Sequence, residues 1–341
     1  MNFRSIAQLS DQLLAWTRRL PADIDLVVGI PRSGMLVASI VSCYRSIPLA
    51  DVDGLLEGRC YRTGRTKAGS LGDGPEAEAH LRFLDQPRRV LVLDDTVWSG
   101  ASIRRTRERI EAAGLPHRVE YGAVYVRPEK TDAVDHYCEA LNGPRLFEWN
   151  LFQHKEILAD ACVDIDGVLC YDPRAADNDD GERYRQFLQN ARPLFRPERE
   201  VGWLVTSRLE RYRPETEAWL REHGIAYREL VMLDCPDGTT RRQLKLHGAH
   251  KASVYRETGA SLFFESDVRQ AVEIANLAQR PVLCTDTMQL IQPGMLPLGR
   301  PPAALADASV PSLPRRVARR VAPLIPRPVL GLLLRSNGSR R

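Results

Sequence analysis

The chain has 341 residues, 43% of them apolar and 27% charged, enough for two buried cores. No apolar run approaches the roughly 20 residues that a helical bilayer span needs. The formal net charge is +4, but from Leu298 onward nine arginines stand against one acid, so the remainder is mildly acidic and a folded nucleic-acid-binding face is not expected.

Seven cysteines (Cys43, Cys60, Cys138, Cys162, Cys170, Cys235 and Cys284) are odd in number and scattered, with no Cys-x-x-Cys pair. A disulfide framework or zinc site is therefore not expected, and a reducing, cytoplasmic setting is. The first 16 residues mix polar and apolar positions at helical spacing and lack the layout of a secretory signal.

In chain order, residues 25–30 (DLVVGI) read as a buried strand running into the turn Gly29-Ile30-Pro31-Arg32-Ser33-Gly34, and 35–43 as a helix packed on it. Residues 55–74 are rich in Gly, Arg and Lys and read as a mobile loop. Residues 89–93 (RVLVL) read as a second strand ending at Asp94 and Asp95, then 103–113 as a helix stopped at Gly114, then 119–126 as a strand. After a connecting stretch at 142–158 the layout restarts. Strands are expected at 161–165, 202–205, 231–233, 262–264 and 281–284, and helices at 215–223 and 268–278. This alternation predicts an α/β protein with two doubly wound, Rossmann-like parallel-sheet domains in tandem, 1–150 and 158–296. A Pro- and Arg-rich tail, 297–341, is expected to be disordered, with weak contact to an anionic membrane surface as the alternative.

The run 90–103 (VLVLDDTVWSGASI) carries the first constellation. Apolar residues lead into paired acids, then small and hydroxyl residues, then a helix start. Free N–H groups and the positive dipole at that start suit a phosphate, while the two acids suit ribose hydroxyls or a bridging metal. Two acids after a strand are also what a plain helix cap looks like. The run resembles the phosphoribosyl-pyrophosphate loop of type I phosphoribosyltransferases. The resemblance implies that Asp94 and Asp95 hold ribose, and that Thr96, Val97, Trp98, Ser99, Gly100, Ala101 and Ser102 cradle the 5′-phosphate. It implies that the turn containing Pro31, Arg32, Ser33 and Gly34 binds pyrophosphate, and that Arg59, Arg62, Arg65 and Lys67 belong to a closing loop. Where Trp98 stands, the family usually has a small residue or Thr.

Residues 161–172 (ACVDIDGVLCYD) carry the second. Acids at i and i+2 beyond a strand point the same way, so one can act as nucleophile and the other can handle protons. A turn or a calcium loop is the plainer reading. The run resembles motif I of the haloacid dehalogenase superfamily. The resemblance implies that Asp164 attacks phosphorus, and that Asp166 protonates the leaving oxygen and later activates water. It also implies Thr206 in 203–208 (WLVTSR) as a phosphate donor, and Lys251, with Lys245 as a rival, as the stabilising lysine ahead of a helix. Mg²⁺ is expected to be held by Asp164, Asp166, Glu265 and Asp267. The family's usual aspartate pair is here Glu265-Ser266-Asp267. The 35–40 residues between the first two motifs imply a small cap or none.

The sequence thus predicts a bifunctional enzyme. One domain transfers phosphoribose from phosphoribosyl pyrophosphate to a small-molecule acceptor. The other hydrolyses a phosphorylated metabolite with Mg²⁺. The alternative is a phosphatase controlled by a phosphoribosyl pyrophosphate- or nucleotide-sensing domain. A homo-oligomer without specific nucleic-acid partners is the further expectation.

Overall fold

A computed structural model describes residues 1–61, 83–178, 180–238, 240 and 246–295. The expected loop residues Arg62, Arg65 and Lys67, the rival Lys245 and the tail lie outside them. Met1–Pro297 form one compact unit. It is mixed α/β and holds two largely parallel sheets.

The first sheet has the order β3-β2-β4-β5-β6 and is parallel throughout: β2 is Leu26–Gly29, β3 Leu49–Asp51, β4 Arg89–Val97, β5 Arg118–Val126 and β6 His136–Ala140. The pleat of β4 divides its apolar residues between the two faces. Leu91 and Leu93 pack with Leu9, Leu13 and Trp16 of helix Ile6–Thr17 and with Val37 and Val41 of helix Ser33–Arg45. Val90 and Val92 pack with Leu55 of helix Val52–Leu56 and with Ile103 and Ile110 of helix Ala101–Ala112. Helices on both faces explain why these strands read as continuous apolar runs.

The second sheet has the order β10-β9-β8-β11-β12-β13: β8 is Ala161–Val163, β9 Val201–Leu209, β10 Tyr227–Leu233, β11 Leu262–Glu265, β12 Val282–Cys284 and β13 Gln289–Ile291. Its edge strand β13 pairs antiparallel with β12, so this sheet is not wholly parallel as expected. One face packs on Trp219 and Leu220 of helix Arg213–Glu222, the other on helices Leu246–Thr258 and Val268–Ala278.

Three expectations need correction. First, β4 does not end at Leu93. Thr96 and Val97 pair with Tyr125 and Val126 of β5, which runs alongside and supplies their partners. Second, residues 142–158 are not merely a connection. They contain β7 (Arg145–Phe147), paired parallel with the unforeseen β1 (Asn2–Arg4). Third, Leu55 and Leu56, placed in the loop, close a short helix capped by Asp51. Between the second module's first two motifs the described chain forms one helix, Glu182–Asn190.

Candidate functional sites

In the first sheet the chain runs from β2 to β3 on one side and returns as β4 on the other. The crevice at the carboxyl ends of β2 and β4 is therefore a topological switch point, where such sheets bind ligands. The turn Pro31–Gly34 leaves β2 there, and the Pro31–Arg32 peptide is cis. A Cβ on Gly34 would lie 2.5 Å from the Leu93 carbonyl oxygen, so only glycine lets this turn lie against β4.

Asp94 and Asp95 are buried side by side. Burial, reinforced by the neighbouring Asp95 charge, pushes the Asp94 carboxyl up to about 8. Its Oδ1 accepts the Asp95 N–H. Asp95 in turn accepts a 2.6 Å hydrogen bond from the Trp149 indole N–H. Trp149 is held by stacking on Phe147, with ring centres 4.9 Å apart. Arg32 donates to Asn150 Oδ1 at 2.8 Å and to Gln153. Residues 149–153, which no sequence signal marked, thus sit on both groups expected to hold phosphoribosyl pyrophosphate.

Of the residues expected to cradle the 5′-phosphate, Thr96 and Val97 still belong to β4. Val97 belongs to the core, and Trp98 lies beneath the guanidinium groups of Arg127 and Arg145, 4.8 and 4.6 Å from its ring centre. Ser99, Gly100, Ala101 and Ser102 stand at the start of helix Ala101–Ala112. Gly100 takes φ +76° there and Ser99 Oγ accepts the Ala101 N–H. The backbone N–H groups left without helical partners there, and the positive end of the helix dipole, are chemically suited to an anion.

In the second sheet β8 is central, with β9 on one side and β11 on the other, and the motif residues meet at their carboxyl ends. A cavity of about 240 Å³ is lined by Asp164, Asp166, Thr206, Lys251, Glu265 and Asp267, together with Asp172 and Gln270, which the sequence reading did not single out. Lys251 Nζ donates to Asp164 Oδ2 and Glu265 Oε2, both at 2.6 Å, and to Gln270 Oε1 at 3.1 Å. Lys251 lies within helix Leu246–Thr258, not ahead of it, and is buried. Burial pulls its affinity for a proton down, but the two carboxylates outweigh that and hold it charged. Burial pushes Asp164 up to about 8, against the pull of the Lys251 charge. Gly167, at φ +77°, passes where a Cβ would strike Ser266 Oγ at 2.1 Å, so this acid-bearing turn requires glycine.

Asp166 has a partner the sequence reading missed. Arg208, wholly buried, donates to its carboxylate from Nη2 at 2.6 Å and from Nε at 3.1 Å. Burial raises the Asp166 carboxyl, yet this guanidinium outweighs it and holds the group below the usual carboxylate range. The signal was in view, two residues after Thr206. Asp267 is used differently from Glu265: its Oδ1 accepts the N–H groups of Arg269 and Gln270 and caps helix Val268–Ala278. Among the described residues no group of three or more His, Cys, Asp or Glu side chains is arranged to hold a metal. The donors that Asp164 and Glu265 bring to one point are nevertheless hard oxygens, the kind Mg²⁺ takes.

Residues 2–156 match the family model described as "Phosphoribosyl transferase domain". The chain is 29% identical over 124 residues to an adenine phosphoribosyltransferase of Leuconostoc citreum (strain KM20), an alignment covering 33% of this chain and 69% of that protein. Among solved structures it is similar to a purine phosphoribosyltransferase from Pyrococcus horikoshii Ot3 (17% identity, TM-score 0.30, 43% of this chain and 92% of that one). It is also similar to a xanthine-guanine-hypoxanthine phosphoribosyltransferase of Helicobacter pylori (13% identity, TM-score 0.31, 44% and 91%).

Proposed function

We propose that the chain is a bifunctional enzyme. Its first site transfers phosphoribose from phosphoribosyl pyrophosphate to a small-molecule acceptor, and its second hydrolyses a phosphate ester. The observation that carries the first half is the juxtaposition of the Arg32 turn with Asp94 and Asp95 at one switch point, in a segment that matches the phosphoribosyl transferase model. Asp94 and Asp95 hold the ribose diol, the N–H groups of 99–102 hold the 5′-phosphate, and Arg32 receives the departing pyrophosphate. The acceptor nitrogen forms its bond to ribose C1 as the bond from C1 to the pyrophosphate oxygen breaks.

The second half rests on Lys251 reaching Asp164 and Glu265 in the cavity that Thr206 also lines. An Asp164 oxygen attacks phosphorus as the bond from phosphorus to the ester oxygen breaks, the leaving oxygen taking a proton from water, and an aspartyl-phosphate results. Thr206 and Lys251 bind the phosphoryl oxygens. Water then attacks phosphorus and loses a proton to Asp166 as the bond from phosphorus to the Asp164 oxygen breaks, releasing phosphate and restoring the Asp164 carboxylate. The Arg208 grip suits Asp166 to that basic role better than to protonating the leaving oxygen. Asp164 and Glu265 are the residues that would hold Mg²⁺, which when bound would offset the negative charge of the phosphate.

One observation favours a second reading, a sensing domain that controls the phosphatase. Residues 149–153, which contact Asp95 and Arg32, also send Phe152 into the second core against Phe264, the neighbour of Glu265. The test is to incubate the protein with Mg²⁺, phosphoribosyl pyrophosphate and a small-molecule cell extract, following products by mass spectrometry. We expect Asp164→Asn to accumulate a phosphoribosylated compound that the wild type converts to its dephosphorylated form. If no species depends on phosphoribosyl pyrophosphate while phosphatase turnover changes on adding it, transfer is wrong and sensing is right.

A further inference from the structure

Beside the phosphoribose groups lies a cavity of about 700 Å³, lined by Thr96, Trp98, Arg145, Phe147, His154 and Ile157 among others. It is not part of the turns that hold ribose, phosphate or pyrophosphate. Arg145, the first residue of β7, is only 7% exposed, and its Nη1 has no hydrogen-bond partner among the described residues. The buried Thr96 Oγ1 is likewise unpartnered. The Arg145 guanidinium lies 4.6 Å from the Trp98 ring centre and 5.7 Å from that of Phe147, so an open cationic donor sits among aromatic rings.

A guanidinium has N–H donors only and stays charged at any ordinary pH. Left unpaired in a buried place it is costly, and a carboxylate or carbonyl oxygen is the partner that relieves it, best in a two-point contact. A ligand amino group would set N–H against N–H, leaving both unsatisfied. The aromatic surroundings favour a flat ligand.

We propose that this cavity selects, as the acceptor of phosphoribose, a planar heterocycle bearing an oxygen acceptor, a carboxylate or ring oxo group, with Arg145 and Thr96 as its donors. Amino-substituted bases such as adenine are rejected. The proposal rests on the phosphoribosyl-transfer reading of the adjoining groups.

The experiment measures pyrophosphate release by the full chain with Mg²⁺ and phosphoribosyl pyrophosphate. The probes are adenine (amino), hypoxanthine and uracil (oxo), and orotate and nicotinate (carboxylate), each also titrated calorimetrically without turnover. We expect kcat/KM for adenine about 100-fold or more below that of the best oxygen-bearing probe. Arg145→Met lowers that probe's kcat/KM and affinity about 100-fold and leaves affinity for phosphoribosyl pyrophosphate within about 3-fold, and Arg145→Lys recovers part of the loss. If Arg145→Met does not fold, Arg145→Lys and Thr96→Val carry the test, each weakening the oxygen-bearing probe and not adenine. Adenine used as well as any probe, an unchanged ranking in the variants, or binding of none of the probes overturns the proposal. Phosphoribosyl pyrophosphate that binds with no such ranking sinks this proposal alone. Failure to bind phosphoribosyl pyrophosphate and to release pyrophosphate with any probe sinks the transfer reading beneath it.

Discussion

Asp166 and Arg208 form an ion pair in which the arginine is wholly removed from water while the carboxylate, about 20% exposed, lines the cavity. Such a pair adds little against an apolar replacement of both partners, but breaking it leaves a buried charge alone. Arg208→Met is therefore expected to destabilise the protein by about 3–5 kcal/mol, read by urea denaturation, and adding Asp166→Asn should recover part of the loss. A double variant no more stable than the single one would show that the guanidinium acts through packing. The pair also marks how far single residues were legible. Asp164 and Asp166 stood out because paired acids just past an apolar strand have few structural uses, whereas Thr206, Lys251 and Glu265 were marked only by the family resemblance; all five line one cavity. Arg208 did not stand out, because an arginine at a strand end is ordinarily a solvated one. Arg145 and Trp149 fell within the stretch 127–149, which together with the N-terminal helix was a candidate for setting acceptor specificity, but neither they nor Asn150 could be singled out, because their contacts exist only once β7 and the following turn are folded against β2 and β4.

At the scale of elements, β11 and helix Val268–Ala278 meet through three residues that share the acids unequally. Glu265 turns into the cavity toward Lys251, while Asp267 turns back onto its own helix. The sequence could not separate the two, since either acid fits the spacing. The cap decides between them. Asp267→Ala should cost about 1 kcal/mol of stability, and Asp267→Asn, which still caps, much less. If the proposed phosphatase activity holds, Asp267→Asn should also keep its Mg²⁺ dependence, whereas Glu265→Gln should abolish turnover, as a magnesium titration of initial rates would show. The reverse pattern would move the metal to Asp267. Element type was otherwise well marked: 268–278 was read to the residue, and most buried strands within a few positions. The failures share a cause. β1, β6 and β13 lie at sheet edges or in a separate pair, where half-exposed residues break the apolar runs, and β7 is buried but only three residues long and opens on an arginine.

Over the whole molecule, the sheets fall on either side of residues 150–158, but the cores do not, and Met1–Pro297 form one compact unit. Phe3 of β1 and Leu146 of β7 are buried in the same cluster as Val163, Leu204 and Phe264 of the second sheet, and Leu151 and Phe152 from the intervening turn join them. Phe152 stacks on Phe195 at 5.0 Å and lies 5.4 Å from Phe264. Sequence periodicity finds strands and helices but not which core a short edge strand feeds, so this sharing was not foreseeable. It has a consequence for stability. Each large apolar side chain fully buried contributes about 1.5–3 kcal/mol. Losing Phe3, Leu146, Leu151 and Phe152 together removes an amount comparable with the about 5–15 kcal/mol that holds a whole domain folded. A fragment of residues 158–297 should therefore lack a cooperative transition in calorimetry, while the full chain unfolds both sheets in one. A fragment beginning at residue 144, which keeps Leu146, Leu151 and Phe152 and lacks Phe3 alone, should recover most of the transition. If the shorter fragment melts cooperatively near the full chain's temperature, the second module is self-sufficient and the shared cluster is only a docking contact.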